Sequence, residues 1–110
     1  MKQKEIWNIH FDSVIGREQA ENRPAVIISG NTLNKNLDIV WVCPLSSSVH
    51  NYQGHPILEP NKENGLKKES EVMVFHIRAV SKKRFKNRIG KISQEQMKQI
   101  TSTINDILDL

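Results

Sequence analysis

The chain has one convincing helical pattern, at its C-terminal end, and only short strand patterns precede it. Ser93 suits a helix cap, and Gln96 follows three residues later, which is the capping-box spacing. Apolar residues then recur every three or four positions, at Met97, Ile100, Ile104, Ile107 and Leu108. This stripe predicts an amphipathic helix that packs against a sheet.

The strand patterns fall at residues 5–11, 25–28, 38–43, 54–58, 71–77 and 86–92. In the first, Trp7, Ile9 and Phe11 share one face, and the third is apolar on both faces, which is typical of a central strand. Pro24 should begin the second strand, and Pro44 should close the third. Because no helix alternates with the strands, we predict a mainly β fold with α, a small antiparallel barrel covered by a C-terminal helix.

Turn-rich or polar stretches separate these strands. Residues 12–22 predict a loop long enough to be functional, residues 60–65 another loop, and residues 81–84 a basic turn. The stretch up to Asn36 is rich in turn residues and predicts no helix.

Length and cysteine content restrict the class of protein. A chain of 110 residues is the usual size of one domain, so we expect a single domain over residues 1–110. Cys43 is the only cysteine, which excludes an internal disulfide and predicts a buried thiol in a reducing compartment. We find neither a membrane-spanning apolar stretch nor a signal peptide, and therefore expect a cytoplasmic protein.

Positive charge is concentrated in one third of the chain. Residues 62–91 hold ten of the sixteen Lys and Arg residues, against Glu63, Glu69 and Glu71. This asymmetry predicts a surface that faces a polyanion. The alternative is a set of lysines that merely solvate loops.

Metal and nucleotide sites have no pattern in this sequence. The four histidines show no ligand spacing, no carboxylates cluster, and no glycines recur at phosphate-binding spacing. We therefore expect no metal and no other cofactor.

Polar residues at strand ends are the remaining candidates for chemistry. Arg23 precedes the second strand and Ser46 follows the third. The two side chains could meet on one phosphate, the guanidinium by a bidentate fork and the hydroxyl by its rotating donor. Taken singly, Arg23 could instead be a surface ion-pair residue and Ser46 a turn residue.

Several short segments together form a recognisable signature. They are EIWNIHFD at 5–12, GREQ at 16–19, RPAVII at 23–28, VCPLS at 42–46, GLKKES at 65–70, IRAV at 77–80 and IGKIS at 89–93. In order and spacing they resemble the MazF/PemK (Kid-like) toxins of type II toxin–antitoxin systems. The resemblance covers nearly the whole chain.

The resemblance implies a fold and an activity. The fold is an SH3-like barrel of the CcdB/MazF/PemK type, assembled as a homodimer. The activity is sequence-specific, metal-independent cleavage of single-stranded RNA, including mRNA. The RNA 2′-hydroxyl attacks the adjacent phosphate and leaves 2′,3′-cyclic phosphate and 5′-hydroxyl ends. The expected partner is a cognate antitoxin that lays a disordered acidic segment across the toxin groove.

The same resemblance assigns the catalytic roles. Family members carry a catalytic Arg where Arg23 stands and a Thr or Ser where Ser46 stands. We expect both to stabilise the negative charge of the transition state. Glu18 and His76 are chemically better bases than a protonated guanidinium, yet for Glu18 we favour an ion pair that orients Arg23.

RNA contacts are expected from the basic stretch and from a polar loop. Lys and Arg side chains from 82 to 88 could follow the phosphates, and Tyr52 or Trp7 could stack a base. Where the family often has an acidic residue and Gln, this chain has Phe75 and His76. The predicted RNA-binding set is Gln19, Ser47, Asn51, Tyr52, His76, Arg78, Lys82, Lys83 and Arg84.

Two rival functions remain open from sequence. A CcdB-like toxin of the same barrel fold would bind gyrase and cleave nothing, but it has no need of the Arg23 and Ser46 pair. A cleavage-incompetent RNA-binding barrel would keep the basic stretch and survive the loss of Arg23.

Overall fold

The computed structural model describes residues 1–11 and 21–109. Single 3₁₀ turns lie at Val74–His76 and Lys82–Arg84. The strands and helices of the described part are β1 Glu5–Phe11, β2 Glu21–Ile27, α1 Asn31–Asn36, β3 Ile39–Ser46, β4 Ile57–Leu58, β5 Ser70–Val72, β6 Arg78–Ser81, β7 Phe85–Lys91 and α2 Gln94–Leu108.

The strands form one antiparallel sheet in the order β4-β5-β3-β2-β1-β7, and β6 also pairs with β3. The sheet curls into a half-barrel, and α2 packs against it. The prediction of a small antiparallel barrel with a C-terminal helix is confirmed. In the described residues, no helix is long and apolar enough to cross a membrane.

Two apolar clusters are buried on opposite faces of the sheet. The cluster under α2 contains Ile6, Val26, Ile28, Cys43, Leu45, Leu58, Val72, Val74, Ile92, Met97 and Ile100. The other contains Ile9, Phe11, Ala25, Ile27, Val40, Val42 and Val80, with Trp7 and Phe85 packed against it. Burial raises the pKa of the Cys43 thiol to about 12, so the predicted buried thiol is confirmed.

The C-terminal helix begins with the predicted capping box. The Ser93 hydroxyl accepts a hydrogen bond from the Gln96 N–H, and the Gln96 side chain accepts one from the Ser93 N–H. Met97 and Ile100 are buried on the sheet. Ile107 and Leu108, however, are 47% and 68% exposed, so the predicted stripe runs beyond the surface that the sheet covers.

Two predicted strand ends at prolines are wrong. Pro24 is the fourth residue of β2, in the stretch where β2 has only β1 as a neighbour, an edge position that proline tolerates. Pro44 lies inside β3, which continues to Ser46. The predicted loop over residues 12–22 is wrong at its last two residues, which belong to β2, and its other residues lie outside the described ones.

The predicted single strand over residues 71–77 is also wrong. Only its first two residues belong to a strand, the end of β5, and a 3₁₀ turn follows at Val74–His76. The next strand, β6, begins after the predicted segment, at Arg78, and pairs with a different stretch of β3. The Met73 N–H donates to the Pro44 carbonyl where the chain leaves β5. The six-residue helix α1 was not predicted, because its sequence is polar and rich in Asn.

One buried carboxylate ties β5 to the loop that follows β3. Glu71 is fully buried, and its oxygens accept hydrogen bonds from the backbone N–H groups of His50, Asn51 and Tyr52. The fourth donor is His55, whose Nδ1 lies 2.7 Å from Glu71 Oε2. Burial alone would raise the pKa of the Glu71 carboxyl, but the bonds from His55 and the three backbone groups outweigh it and lower the pKa to about 2.

This carboxylate predicts a specific loss of stability in acid. The unfolded chain takes up a proton near the ordinary carboxyl pKa of 4.5, whereas native Glu71 does so only near 2. The free energy of unfolding that Glu71 contributes is therefore complete above pH 4.5 and declines as the pH falls towards 2.

Urea unfolding of the wild type and Glu71→Gln across this pH range measures that contribution. At neutral pH the variant should be less stable by about 1–3 kcal/mol for each donor left without an acceptor. The difference should shrink as the pH falls, because only the wild type carries the Glu71 carboxylate, whereas the other carboxyls titrate in both proteins and cancel. A difference that stays constant down to pH 2 would refute this assignment.

Candidate active site

A cleft of about 660 Å³ opens where β2 extends beyond its pairing with β3. At this point β3 no longer has β2 as a neighbour, although its other edge continues to pair with β5. The residues that line the cleft are Asn22, Arg23, Pro24, Leu45, Ser46, Ser47, Ser48, Gly65, Leu66, Lys67, Lys68, Ser70, Asn87 and Ile89.

The strand register explains how Arg23 and Ser46 reach the same cleft. The β2–β3 ladder pairs Ile27 with Val42 and ends at Ala25 with Pro44. Continuing this antiparallel register by two residues sets Arg23 opposite Ser46. Residues two apart on a strand share a face, so both side chains belong to the same side of the sheet. The sequence-predicted pair is thus brought together.

The Ser46 hydroxyl is held at the mouth of this cleft. It accepts a hydrogen bond from the Ser48 N–H at 3.1 Å and lies 3.2 Å from the Ser48 carbonyl, to which it donates. Because a hydroxyl donor rotates, the same O–H can turn from this carbonyl towards an anion in the cleft. The arrangement supplies a hydroxyl donor beside a guanidinium.

Two lysines of the cleft were not predicted as site residues. Lys67 and Lys68 lie on the loop between β4 and β5, and both are exposed. The loop approaches β7 closely, because a Cβ on Gly90 would lie 2.4 Å from the Asn64 carbonyl group. The signal was present in the sequence, since both lysines belong to the basic stretch and to the GLKKES segment.

The other predicted contacts are distributed over several surfaces. Ser47 lines the cleft. Asn51 and Tyr52 are exposed on the loop that Glu71 holds, and His76 is exposed on the first 3₁₀ turn. Glu18 and Gln19 lie outside the described residues.

The basic residues near β6 do not line the same cleft. The Arg78 guanidinium lies 5.0 Å above the centre of the Phe11 ring, and Arg78 shares a separate cavity of about 220 Å³ with Arg84. Lys82 lines a third cavity beside the N-terminus, and Lys83 is exposed on the second 3₁₀ turn. The Lys and Arg side chains of the basic stretch are thus distributed over more than one surface.

Contacts with neighbouring side chains hold Trp7 in place. Trp7 packs edge-on against Phe85, with the ring centres 5.8 Å apart, and its indole N–H donates to Glu5. Of the two aromatic candidates for base stacking, Tyr52 is therefore the exposed one. Among residues 1–11 and 21–109, no three His, Cys, Asp or Glu side chains are grouped as metal ligands would be.

Sequence comparison finds curated relatives over the full length of the chain. It is 25% identical over 115 residues to "Endoribonuclease MazF9" of Mycobacterium tuberculosis, covering 100% of this chain and 98% of that protein. It is 29% identical over 112 residues to "Endoribonuclease MazF" of Staphylococcus saprophyticus, covering 100% of this chain and 92% of the relative.

Structural comparison finds the same fold in solved proteins. MazF of Deinococcus radiodurans superposes with a TM-score of 0.83 at 18% identity, covering 100% of this chain and 97% of that one. A MazE-MazF structure from the same organism superposes with a TM-score of 0.81 at 19% identity, covering 98% and 95%. A family model described as "PemK-like, MazF-like toxin of type II toxin-antitoxin system" matches residues 2–108. The chain therefore belongs to the PemK-like, MazF-like toxin family.

Proposed function

We propose that this protein is a metal-independent endoribonuclease toxin that cuts single-stranded RNA at specific sequences. The observation that carries the proposal is the cleft that Arg23 and Ser46 both line. Two relatives that match the whole chain are named endoribonucleases, which supports the same reading. The gyrase-binding alternative is not favoured, since the family match is to PemK-like and MazF-like toxins.

The chemistry we propose uses the substrate's own nucleophile. The 2′-hydroxyl oxygen attacks the adjacent phosphorus, a bond to phosphorus forms, and the bond to the 5′-oxygen breaks. The 2′ proton leaves to a base, and the departing 5′-oxygen takes up a proton. The products are a 2′,3′-cyclic phosphate and a 5′-hydroxyl, so DNA, which lacks the nucleophile, is not cut.

Arg23 and Ser46 are the catalytic residues of this proposal. Both donate hydrogen bonds to the phosphate oxygens, whose negative charge grows in the transition state. Glu18 is proposed to orient Arg23 by an ion pair. The base that takes the 2′ proton stays open between Glu18 and His76, and His76 is not among the residues lining the cleft.

RNA binding follows from the charge around the cleft. Lys67 and Lys68 line it together with Ser47. The phosphate backbone of an RNA bound in the cleft would therefore lie near two ammonium groups. The loop of Asn51 and Tyr52 continues this surface. Gln19, His76, Arg78, Lys82, Lys83 and Arg84 remain proposed contacts for nucleotides beyond the cleft or for an acidic partner.

The partners we propose are a cognate antitoxin and a second copy of this chain. One structure that resembles this protein is that of MazE-MazF from Deinococcus radiodurans, and the basic surfaces here suit an acidic antitoxin segment. Ile39 and Trp41, on one face of β3, are 40% and 42% exposed, and exposed Leu33 and Leu37 lie in and beside α1. Such a patch suits an interface between copies. Because mRNA is the substrate, the place of action is the cytoplasm.

Incubation of the purified protein with mixed-sequence single-stranded RNA and its DNA counterpart in excess EDTA tests the activity. We expect cleavage of RNA alone, with 2′,3′-cyclic phosphate and 5′-hydroxyl ends. Folded protein that leaves the RNA intact would refute the nuclease and revive the gyrase-binding reading.

Substitutions at the two catalytic residues test their roles. Arg23→Ala and Ser46→Ala should each slow cleavage by about 10²–10³-fold or more, the usual loss for one transition-state donor. Lys98→Ala and Ser102→Ala are matched controls, since both residues are exposed on α2, and they should cut at the wild-type rate. Cleavage at an undiminished rate by Arg23→Ala would contradict the assignment.

Light scattering during size exclusion tests the homodimer. The wild type should show twice the chain mass of 12.7 kDa. Trp41→Glu places a charge in the apolar patch and should shift the mass towards that of one chain. Gln99→Glu, an exposed position on α2, adds the same charge elsewhere and should stay dimeric. A wild-type protein with the mass of one chain would exclude the dimer.

A further inference from the structure

Three aromatic rings gather at the end of the loop that follows Ser46. The Tyr52 ring centre lies 5.5 Å from that of His50 and 6.4 Å from that of Phe75. All three side chains are exposed, with Tyr52 at 51% and Phe75 at 53%. Large aromatic rings usually bury their faces. Two half-exposed rings side by side therefore form a surface that is available for contact.

A fourth ring, buried beneath them, sets their position. The His55 ring centre lies 4.1 Å from that of Phe75 and 5.7 Å from that of Tyr52, which it meets edge to face. His55 Nε2 accepts the Phe75 N–H, so the ring proton resides on Nδ1 and is donated to Glu71. Both ring nitrogens of His55 are thereby engaged, which fixes the orientation of the ring.

Glu71 fixes the exposed rings from the other side. Its carboxylate accepts the backbone N–H groups of His50 and Tyr52, which carry two of the three exposed rings. Asn51 between them has a positive φ of 57°, a strained conformation for a non-glycine residue, and its N–H binds the same carboxylate. Two buried side chains thus hold all three exposed rings.

Glu71 connects the rings to Ser46, the candidate catalytic residue of β3. Ser46 is the cross-strand partner of Glu71 in the β3–β5 ladder. The loop therefore leaves the cleft at Ser46 and is fastened again, a few residues on, to the strand position opposite Ser46. The loop thus connects the cleft to the rings.

We propose that His50, Tyr52 and Phe75 form a platform on which an unpaired RNA base stacks, and that Glu71 and His55 are the positioning residues of this platform. The inference rests on the proposed nuclease function and deepens it by naming where a base outside the cleft is bound. A positively charged groove flanked by aromatic rings is the arrangement that binds single strands. Lys67 and Lys68 supply the charge, and the platform supplies the rings.

An RNA base suits these rings better than an antitoxin segment. An acidic peptide is attracted by lysines and arginines, and the platform itself carries none. The one carboxylate beneath it already accepts four donors and is fully buried. An exposed aromatic ring accepts any base by stacking, since every base has a π face.

The first test measures binding without cleavage. The probe is a fluorescein-labelled, mixed-sequence 2′-O-methyl RNA, which lacks the free 2′-hydroxyl, and binding is followed by fluorescence anisotropy. Tyr52→Leu and Phe75→Leu remove a ring and keep an apolar side chain, and each should weaken binding by roughly 5- to 100-fold, the loss expected for one stacked base. Tyr52→Phe keeps the ring and should bind like the wild type.

A matched control and a stacking probe separate this result from a general effect. Leu108→Ala changes an exposed apolar residue at the end of α2 and should leave binding unchanged. With 2-aminopurine placed in turn along the RNA, the wild type should change the fluorescence of one stacked position, and Tyr52→Leu should abolish that change. Unaltered affinity in both ring variants would overturn the platform.

The positioning role of Glu71 and His55 is tested by coupling. Glu71→Gln should raise KM for RNA while kcat at saturating RNA stays near that of the wild type, because Arg23 and Ser46 are retained. Combined with Tyr52→Leu, the same substitution should weaken binding no further. His55→Asn keeps a donor to Glu71 and should retain more affinity than His55→Ala.

The outcomes distinguish failure of the platform from failure of the proposed function. Cleavage by the wild type with unchanged KM in Tyr52→Leu would remove the platform and leave the nuclease. RNA binding that depends on Tyr52, without cleavage by the wild type, would remove the nuclease and leave the platform. If the losses of RNA affinity in the Glu71 and Tyr52 double variant are additive, Glu71 does not position the platform and its role is purely structural. If Tyr52→Leu and Phe75→Leu bind RNA normally but lose affinity for an acidic peptide, the platform would bind the antitoxin and not RNA.

Discussion

The candidate active site depends on β3, because this one strand has three different neighbours. It pairs with β2 along one edge and with β6 and then β5 along the other. Val40 and Val42 fill the apolar cluster on one side of the sheet, and Cys43 and Leu45 fill the cluster under α2. Once β3 is buried in this way, its register is fixed, since a slip of one residue would exchange the two clusters. The position of Ser46 at its end is fixed with it.

The class of fold could be predicted from sequence, and its strand boundaries could not. Period-two apolar runs and a capped amphipathic helix depend on neighbouring residues, so β1, the core of β2 and α2 were recognised. The boundaries at Pro24 and Pro44 depend on which edge of a strand has a partner, and that is a tertiary property. The end of β5 at Val72, inside the strand predicted over residues 71–77, depends on the same property. From there the chain moves to the next stretch of β3, with which β6 pairs.

For the candidate site, the sequence predicted two residues that line one cleft, but not the whole lining of that cleft. Arg23 and Ser46 were found by the strand-end argument and by resemblance, and the structure brings them into one cleft. Lys67 and Lys68 are not among the predicted contacts, because the sequence has a denser run of basic residues further along the chain. Linear charge density does not reveal which face a loop turns to, and here a close approach of the β4–β5 loop to Gly90 determines it.

The buried pair under the aromatic rings shows how a loop outside the barrel can be as well defined as a strand. Glu71 would be costly in an apolar core if any of its donors were missing, because a buried charge needs full hydrogen bonding. His55 in turn has an acceptor for its Nδ1 proton only because Glu71 is there. The loop, the two buried side chains and the rings that they hold therefore form one cooperative unit. On the proposed platform, a change in the base that is bound would then require several of these residues to change together, rather than one exposed contact alone.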